Sequence, residues 1–425
     1  MFCYIKSCRP YKNWLIILNI PKHPIWRYIT LHKARVAVRL TIVGVVAGLG
    51  VVLLSQTSAV SFVISSEAES GLLAGPATRQ NVSGASGGSS VRFAASPTVP
   101  TPPPSPPPAG GRVVPVDTSA ELTSAIANAK PGDTIQLANG SYTGKLAVGN
   151  YSGAFSVTKS GTAATPITLT GSRSAVIDAG GTSSRYGLYI ADASHWNIVG
   201  ITITNATKGV VMDRSNHISL DNVWVYNVGE EAVHFRSFSS DNILKNSLIE
   251  QTGIKKPQYG EGVYIGSAKS NWGTHSGGNP DTSDRNQVLT NTIRNTGAEN
   301  IDIKEGSSYG TITGNSFDGI GIKGENYADS WIDVKGNNYT ISNNTGVVSG
   351  PAVFLDGFQV HRALSGWGND NVFRDNNLNL NNAAGYGFLL QSGVTGNVLS
   401  CSNTVSNAGG GFAAIGSKAT ACTSP

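Results

Sequence analysis

Eight six-residue segments in the C-terminal part of the chain align without gaps: 186–191 (YGLYIA), 208–213 (KGVVMD), 231–236 (EAVHFR), 261–266 (EGVYIG), 299–304 (ENIDIK), 330–335 (SWIDVK), 356–361 (DGFQVH) and 386–391 (YGFLLQ). Their third and fifth positions are Val, Ile, Leu or Phe, with Met212 the one departure, while the fourth and sixth are variable and mostly polar. Side chains alternate across a strand, so the third and fifth point into a core and the fourth and sixth point out. Each repeat carries a second apolar strand after an Asn-rich turn, as in 242–249 (NILKNSLI), 286–293 (NQVLTNTI) and 310–317 (GTITGNSF). Asn222, Asn246, Asn291, Asn315 and Asn376 fall at comparable places, as an internal asparagine ladder requires.

The repeats begin 22 or 23 residues apart (186, 208, 231) and lengthen to 30 or more where loops are inserted. Short strands at such a period bury a continuous core only by stacking coil on coil. A propeller needs longer, four-stranded units. The pattern predicts an all-β protein, a right-handed parallel β-helix over 113–425. Thr118-Ser-Ala-Glu121 is a capping box, and Leu122, Ala125, Ile126 and Ala129 follow at helical spacing before Lys130-Pro131-Gly132 stops the turn. That short N-terminal helix is expected to cover the open end of the stack, where unpaired backbone would otherwise face water.

Composition changes the picture mainly at the N-terminus. With 51 Gly and only 13% charged residues, the chain suits strands and turns more than helices with charged outer faces. Its formal charge of +5 is misleading, because residues 1–40 hold eight Lys or Arg and no acid; without those eight the remainder is −3. A mildly acidic body argues against nucleic acid as a partner. A basic lead (1–39, expected to be cytoplasmic) precedes an apolar segment (40–64) that reads as a signal peptide or a transmembrane anchor. Positive-inside bias then places the bulk of the chain at the cell surface or outside the cell. A small, polar spacer (65–96) resembles, in pieces such as Glu67-Ala68-Glu69-Ser70-Gly71, the edge of a carbohydrate-binding module, though it is too short for a whole one. Residues 97–112 form a Pro-rich linker, extended and semi-rigid. Cys401 and Cys422 lie about one repeat apart; in an oxidising compartment they can pair and pin the C-terminal end, and their spacing fits no metal motif.

Stacking the repeats turns the alignment into a map of one outer face, since neighbouring strands lie about 4.8 Å apart. The fourth column reads Tyr189, Val211, His234, Tyr264, Asp302, Asp333, Gln359 and Leu389, and the sixth includes Asp213, Arg236, Lys304, Lys335 and His361. Ionisable groups gather in the middle coils. Asp302 and Asp333 are expected to stack, with Glu299 and Glu261 beside them, so the carboxylates repel unless something positive intervenes. Calcium, which takes several carboxylate oxygens, is the natural candidate, with Glu261, Glu299, Asp302 and Asp333 as ligands. Lys304 and Lys335 also stack, and two close ammonium groups, or a nearby divalent cation, would draw a lysine towards neutrality. A neutral lysine is a usable general base. Asp and Lys alternating on an exposed strand can equally be solvated ion pairs of small energy. His234 and His361 are candidate wall residues or sugar contacts, Arg236 and Tyr264 candidate substrate contacts, and Trp272, in the inserted segment 267–285, a candidate sugar-stacking ring.

On these residues the chain resembles bacterial right-handed β-helix proteins of the pectate lyase superfamily, nearest to the chondroitinase B and alginate lyase family (polysaccharide lyase family six). The resemblance spans roughly 113–420 and rests on the opening segment 116–144 and on Glu299-Asn-Ile-Asp-Ile-Lys304. It implies that Glu299 binds calcium and that Lys304 is the Brønsted base. The family's catalytic arginine has no arginine counterpart here; Lys335 occupies a comparable place. Two rival families fit less well. Gly260–Ser267 is similar to a polygalacturonase segment but carries Glu261 where that family has His, and inverting hydrolysis needs carboxyls about 6.5–9.5 Å apart, wider than stacked Asp302 and Asp333. The Asp-Pro-His run of mannuronan epimerases is absent.

The sequence therefore predicts an exported polysaccharide lyase, acting as a monomer on an acidic, uronate-containing glycan by calcium-assisted β-elimination, with Lys304 and Lys335 as catalytic lysines. The alternative from another class is a non-catalytic surface β-helix that binds glycans or serves adhesion.

Overall fold

From Val113 onward the chain winds into coils of three short strands separated by turns, and each coil lays its strands parallel to those of the coil before. The computed structural model describes residues 111–144, 146–148 and 151–423, and further towards the N-terminus only short strands. Contacts divide the chain into two units, 1–99 and 100–425. In the first, Cys3–Cys8, Asn13–Leu18 and Tyr28–Thr30 form an antiparallel sheet, and Ala77–Asn81 pairs antiparallel with Ser89–Phe93 inside the segment expected to be a spacer. The predicted signal or anchor over 40–64 and most of the Pro-rich linker lie outside the described residues. Among the described residues, no helix is long and apolar enough to cross a membrane.

The second unit is a right-handed parallel β-helix with three long sheets of 12, 11 and 10 strands. The eight aligned segments are successive strands of the 12-stranded sheet, in the order the sequence predicts. Their register is also as predicted. Tyr189 pairs with Val211, Val211 with His234, His234 with Tyr264, Tyr264 with Asp302, Asp302 with Asp333, and Asp333 with Gln359. A one-residue slip would turn each apolar pair to solvent, so the register is strongly specified. The inward positions, from Leu188 and Ile190 through Ile301 and Ile303 to Phe358 and Val360, are fully buried, and Met212 packs among them. Each such side chain contributes roughly 1.5–3 kcal/mol relative to exposure.

The asparagine ladder exists and includes Asn291, Asn315 and Asn376 of its predicted members. Asn291, Asn315, Asn344, Asn376 and Asn403 stack in the turns, buried. Asn291 donates its backbone N–H and its Nδ2 to Asn315 Oδ1 at 2.9 and 3.0 Å, and the pattern repeats upward to Asn403. Asn222 and Asn246 do not belong to it. They occupy the preceding position, with φ of 53° and 52°, where a left-handed residue turns the chain. The ladder position in the coil of Asn246 is Ser247, whose Oγ accepts from the Val223 N–H and whose N–H donates to Asn291 Oδ1. Adjacent asparagines serve two purposes, and the letters alone do not separate them.

Both ends are closed. Ser119–Ala127 is helical, with the Thr118–Glu121 capping box formed and Leu122, Ala125 and Ile126 buried against the first coil. At the other end Cys401 and Cys422 form a disulfide.

Candidate active site

The outer face of the 12-stranded sheet holds a cavity of about 560 Å³, lined by Lys208, Glu231, His234, Arg236, Glu261, Tyr264 and Lys304 from the strands and corners. Its other walls come from segments that lengthen the repeats: Lys256 and Tyr259 from one, Ser270, Asn271 and His275 from a second, and Asn326 from a third. The second is anchored to the sheet. The Asp281 carboxylate accepts the backbone N–H groups of Ser237 and Phe238 at 2.8 Å, and the Ser267 and Ser283 hydroxyls at 2.6 and 2.8 Å.

The predicted column brings charges together, and the charges largely settle one another. Lys304 Nζ lies 2.5 Å from Asp302 Oδ2, and Lys335 Nζ lies 3.0 Å from Asp302 Oδ1 while also binding Asp333. Burial opposes charge on both lysines, but Asp302 with Glu261 at Lys304, and Asp302 with Asp333 at Lys335, hold both ammonium groups well above their ordinary value. The expectation of a lysine drawn towards neutrality is therefore overturned for the protein without a cation, because the carboxylates at each lysine outweigh the effect of the other lysine. Through Lys335 the network continues to Asp333 and His361, which do not line the cavity, with His361 Nδ1 3.1 Å from Asp333 Oδ1. Burial works against the His361 cation, yet its bond to Asp333 raises its proton affinity.

Glu261, Glu299 and Asp302 offer oxygens that all lie within 4.8 Å of one another. Burial, followed by repulsion from Glu231, Asp302 and Glu299, pushes the Glu261 carboxyl well above the usual carboxylate range. Burial, Asp302 and Asp333 push Glu299 up to about 8. Glu261 Oε2 is buried with no hydrogen-bond partner. Two repelling glutamates and an orphaned oxygen fit an oxygen-seeking divalent cation; Asp302, already holding two lysines, could be shared with it. Asp333, predicted as a fourth ligand, stands outside this group.

Two further candidates are placed differently from expectation, and a third, His234, stands in the wall as expected. Trp272 is only 6% exposed and donates its indole N–H to the Ser267 carbonyl at 2.8 Å, so it packs the loop down and offers no face to a sugar. Arg236 borders the cavity, but its guanidinium is bound by Asp213 at 2.6 and 3.2 Å. Asp213 also accepts the Tyr189 hydroxyl at 2.7 Å. His234 is buried, with Nε2 3.0 Å from the Gly266 carbonyl, and burial with Lys208 and Arg236 nearby drives its proton affinity well below the ordinary value. It is a neutral wall residue whose Nε2–H donates to the chain.

Lys208 was not singled out from sequence, although it begins the aligned segment 208–213. It meets Glu231 at 2.5 Å and Glu230 at 3.3 Å. Burial opposes its charge, and the two glutamates outweigh it. Lys256 and Tyr259 were also missed, since they sit in an insertion without the strand pattern.

The family model for the right-handed β-helix region of Pel9A-like proteins matches residues 110–251. Among solved structures, the chain is 38% identical to an alginate lyase from Paenibacillus sp. str. FPU-7, over 72% of this chain and 99% of that one, with a TM-score of 0.65. Pectate lyase Pel9A is 19% identical over 68% of this chain and 72% of its own, with a TM-score of 0.45. A PL6 family polysaccharide lyase from Pseudopedobacter saltans is 15% identical over 66% of each chain, with a TM-score of 0.42. No curated protein matches the chain. With its residues shared at that level along nearly the whole of the Paenibacillus enzyme, the chain belongs to the pectate lyase superfamily of right-handed parallel β-helices, among its polysaccharide lyases.

Proposed function

We propose that the protein cleaves an acidic, uronate-containing polysaccharide by β-elimination, with Lys304 as the base. The observation that carries this reading is the position of Lys304. Its Nζ reaches into the cavity, 4.9 Å from the centre of the Tyr264 ring and 2.5 Å from Asp302 Oδ2.

The chemistry requires removal of the C5 proton of a uronate ring and loss of the sugar linked at C4. With a cation bound beside it, Lys304 would release its extra proton to solvent in the cavity, and the free amine takes the C5 proton. The C5–H electrons form the C4=C5 double bond, and the C4–O bond breaks. Tyr264, kept protonated by burial and by Asp302 and Glu261, gives its proton to the leaving oxygen. Lys208, whose partners are both at the cavity wall, supports binding of the uronate carboxylate. Glu261 and Glu299, with Asp302 shared, would hold calcium, which supplies positive charge beside that carboxylate and weakens the hold of Lys304 on its proton. Lys335 keeps Asp302 oriented.

The disulfide between Cys401 and Cys422 and the basic lead before an apolar segment support export to the cell surface or beyond. Incubation with alginate and with polygalacturonate, read by the ultraviolet absorbance of the unsaturated product with calcium and with chelator, tests the reading. Product from at least one polymer is expected; none from either, in both conditions, overturns it.

A further inference from the structure

Two of the inserted segments that wall the cavity end in exposed tyrosines. Pro257–Tyr259 and Glu325–Tyr327 are short turns of 3-10 helix that lie alongside one another. Tyr259 lines the cavity and is 47% exposed, and Lys256 stands over its ring at 5.9 Å. Asn326 lines the cavity, and Tyr327 beside it is 87% exposed.

The backbone at Tyr327 makes the exposure informative. Gly324, Asn326 and Tyr327 have φ of 74°, 57° and 65°. A left-handed conformation suits glycine and is tolerated by asparagine, but it is unfavourable for a bulky aromatic side chain. A ring packed into a core could offset that strain; a ring in water does not. Strain held without packing points to a role in binding. Tyr309 is also exposed at φ 62°, but it does not line this cavity.

We propose that Tyr327 and Tyr259 form a stacking platform for a pyranose ring of the substrate polymer, an accessory subsite at the cavity mouth, separate from the reacting sugar. This rests on the lyase reading above for its ligand. A sugar ring presents a face of C–H bonds that packs on an aromatic ring, and a uronate ring adds a carboxylate. Lys256, 54% exposed at its side chain and paired with Glu230 at 2.5 Å, places an ammonium beside the ring that a uronate carboxylate can approach from the solvent side. An aromatic ring beside an ammonium at the entrance of a cavity lined by Lys208 and Lys304 is suited to an acidic sugar polymer. The platform lengthens the contact with the chain without touching the bond that breaks.

The test is binding of alginate and polygalacturonate, measured by affinity electrophoresis in calcium-containing and calcium-free gels, for the full chain and for Tyr327→Ala, Tyr327→Phe and Tyr259→Ala. Tyr327→Ala is expected to weaken retention about tenfold, Tyr259→Ala by a similar factor, and Tyr327→Phe to keep it, because the face of the ring and not the hydroxyl is used. The KM for a polymer is expected to rise for both alanine variants and to stay near the parent value for Tyr327→Phe. Retention of Tyr327→Ala equal to that of the parent overturns the platform whatever the activity. A parent protein that is retained by a polymer but releases no unsaturated product overturns the lyase mechanism and leaves the platform standing. A parent retained by neither polymer overturns the platform.

Discussion

Lys304 and Asp302, two residues apart on one strand, meet at 2.5 Å on the outer face of the sheet, while Lys335 from the next coil holds the other oxygen of the same carboxylate at 3.0 Å. One buried aspartate thus serves two lysines, and the proposed base is not isolated. Removing Lys304 leaves Asp302 with a partner. Removing Asp302 leaves two ammonium groups facing each other.

Lys304→Ala is therefore expected to fold and to lose activity. General acid–base groups contribute about 10²–10⁴-fold. Product formation should fall by at least a hundredfold on that scale, with a melting temperature close to that of the parent. Initial rates and a thermal melt on the same sample check this. Retained activity removes Lys304 from the mechanism.

Glu299 gives a pH dependence. Its folded carboxyl is pushed up to about 8 from an ordinary 4.5, so the folded chain binds a proton there that the unfolded chain releases. Stability from this group is full below about 4.5 and is lost as pH rises through about 8. In calcium-free buffer the melting temperature is expected to fall between those values, and Glu299→Gln, which stays neutral, should flatten the fall.

Calcium is expected to reverse that trend at the alkaline end. A ligand bound only to the folded state stabilises by about 2.7 kcal/mol at a hundred times its dissociation constant. Melts at pH near 8 with and without calcium should separate, and Glu261→Gln should bring them together. Melts that coincide for the parent protein would show that the two glutamates share a proton and hold no cation.

The asparagine turns make a paired prediction. Asn344 accepts from the Asn315 N–H and Nδ2 and donates to the Ile312 carbonyl, all buried. Asn344→Ala leaves these groups unpaired, each at a cost of about 1–3 kcal/mol, so the loss of stability is expected to exceed 2 kcal/mol. Asn246→Ala, at an exposed turn position, should cost less than half as much. Chemical denaturation of both variants settles the order.

Cys401→Ser is expected to loosen the last coil. The disulfide closes a loop of sequence separation 21. Closing a loop of that length contributes about 3 kcal/mol in the chain-entropy model. Limited proteolysis should cut the variant near its C-terminus at concentrations that leave the parent intact.

Sequence alone determined the coil, its register and the column that carries the site, because a strand period of two and a stacking core admit one inward set of residues. Leu188, Ile301 and Phe358 had to face in, and His234, Tyr264, Asp302 and Asp333 then had to share a face. Sequence also placed Lys304 among carboxylates. Only the tertiary structure decided how those charges are spent. Arg236 is taken by Asp213, Asp333 by Lys335 and His361, and Trp272 by its own loop, because which neighbours bond one another depends on side-chain distances that no column of letters records. Inserted segments escape the period altogether. Tyr259, Lys256 and Asn326 therefore became part of the cavity only when the loops between coils were seen folded against it.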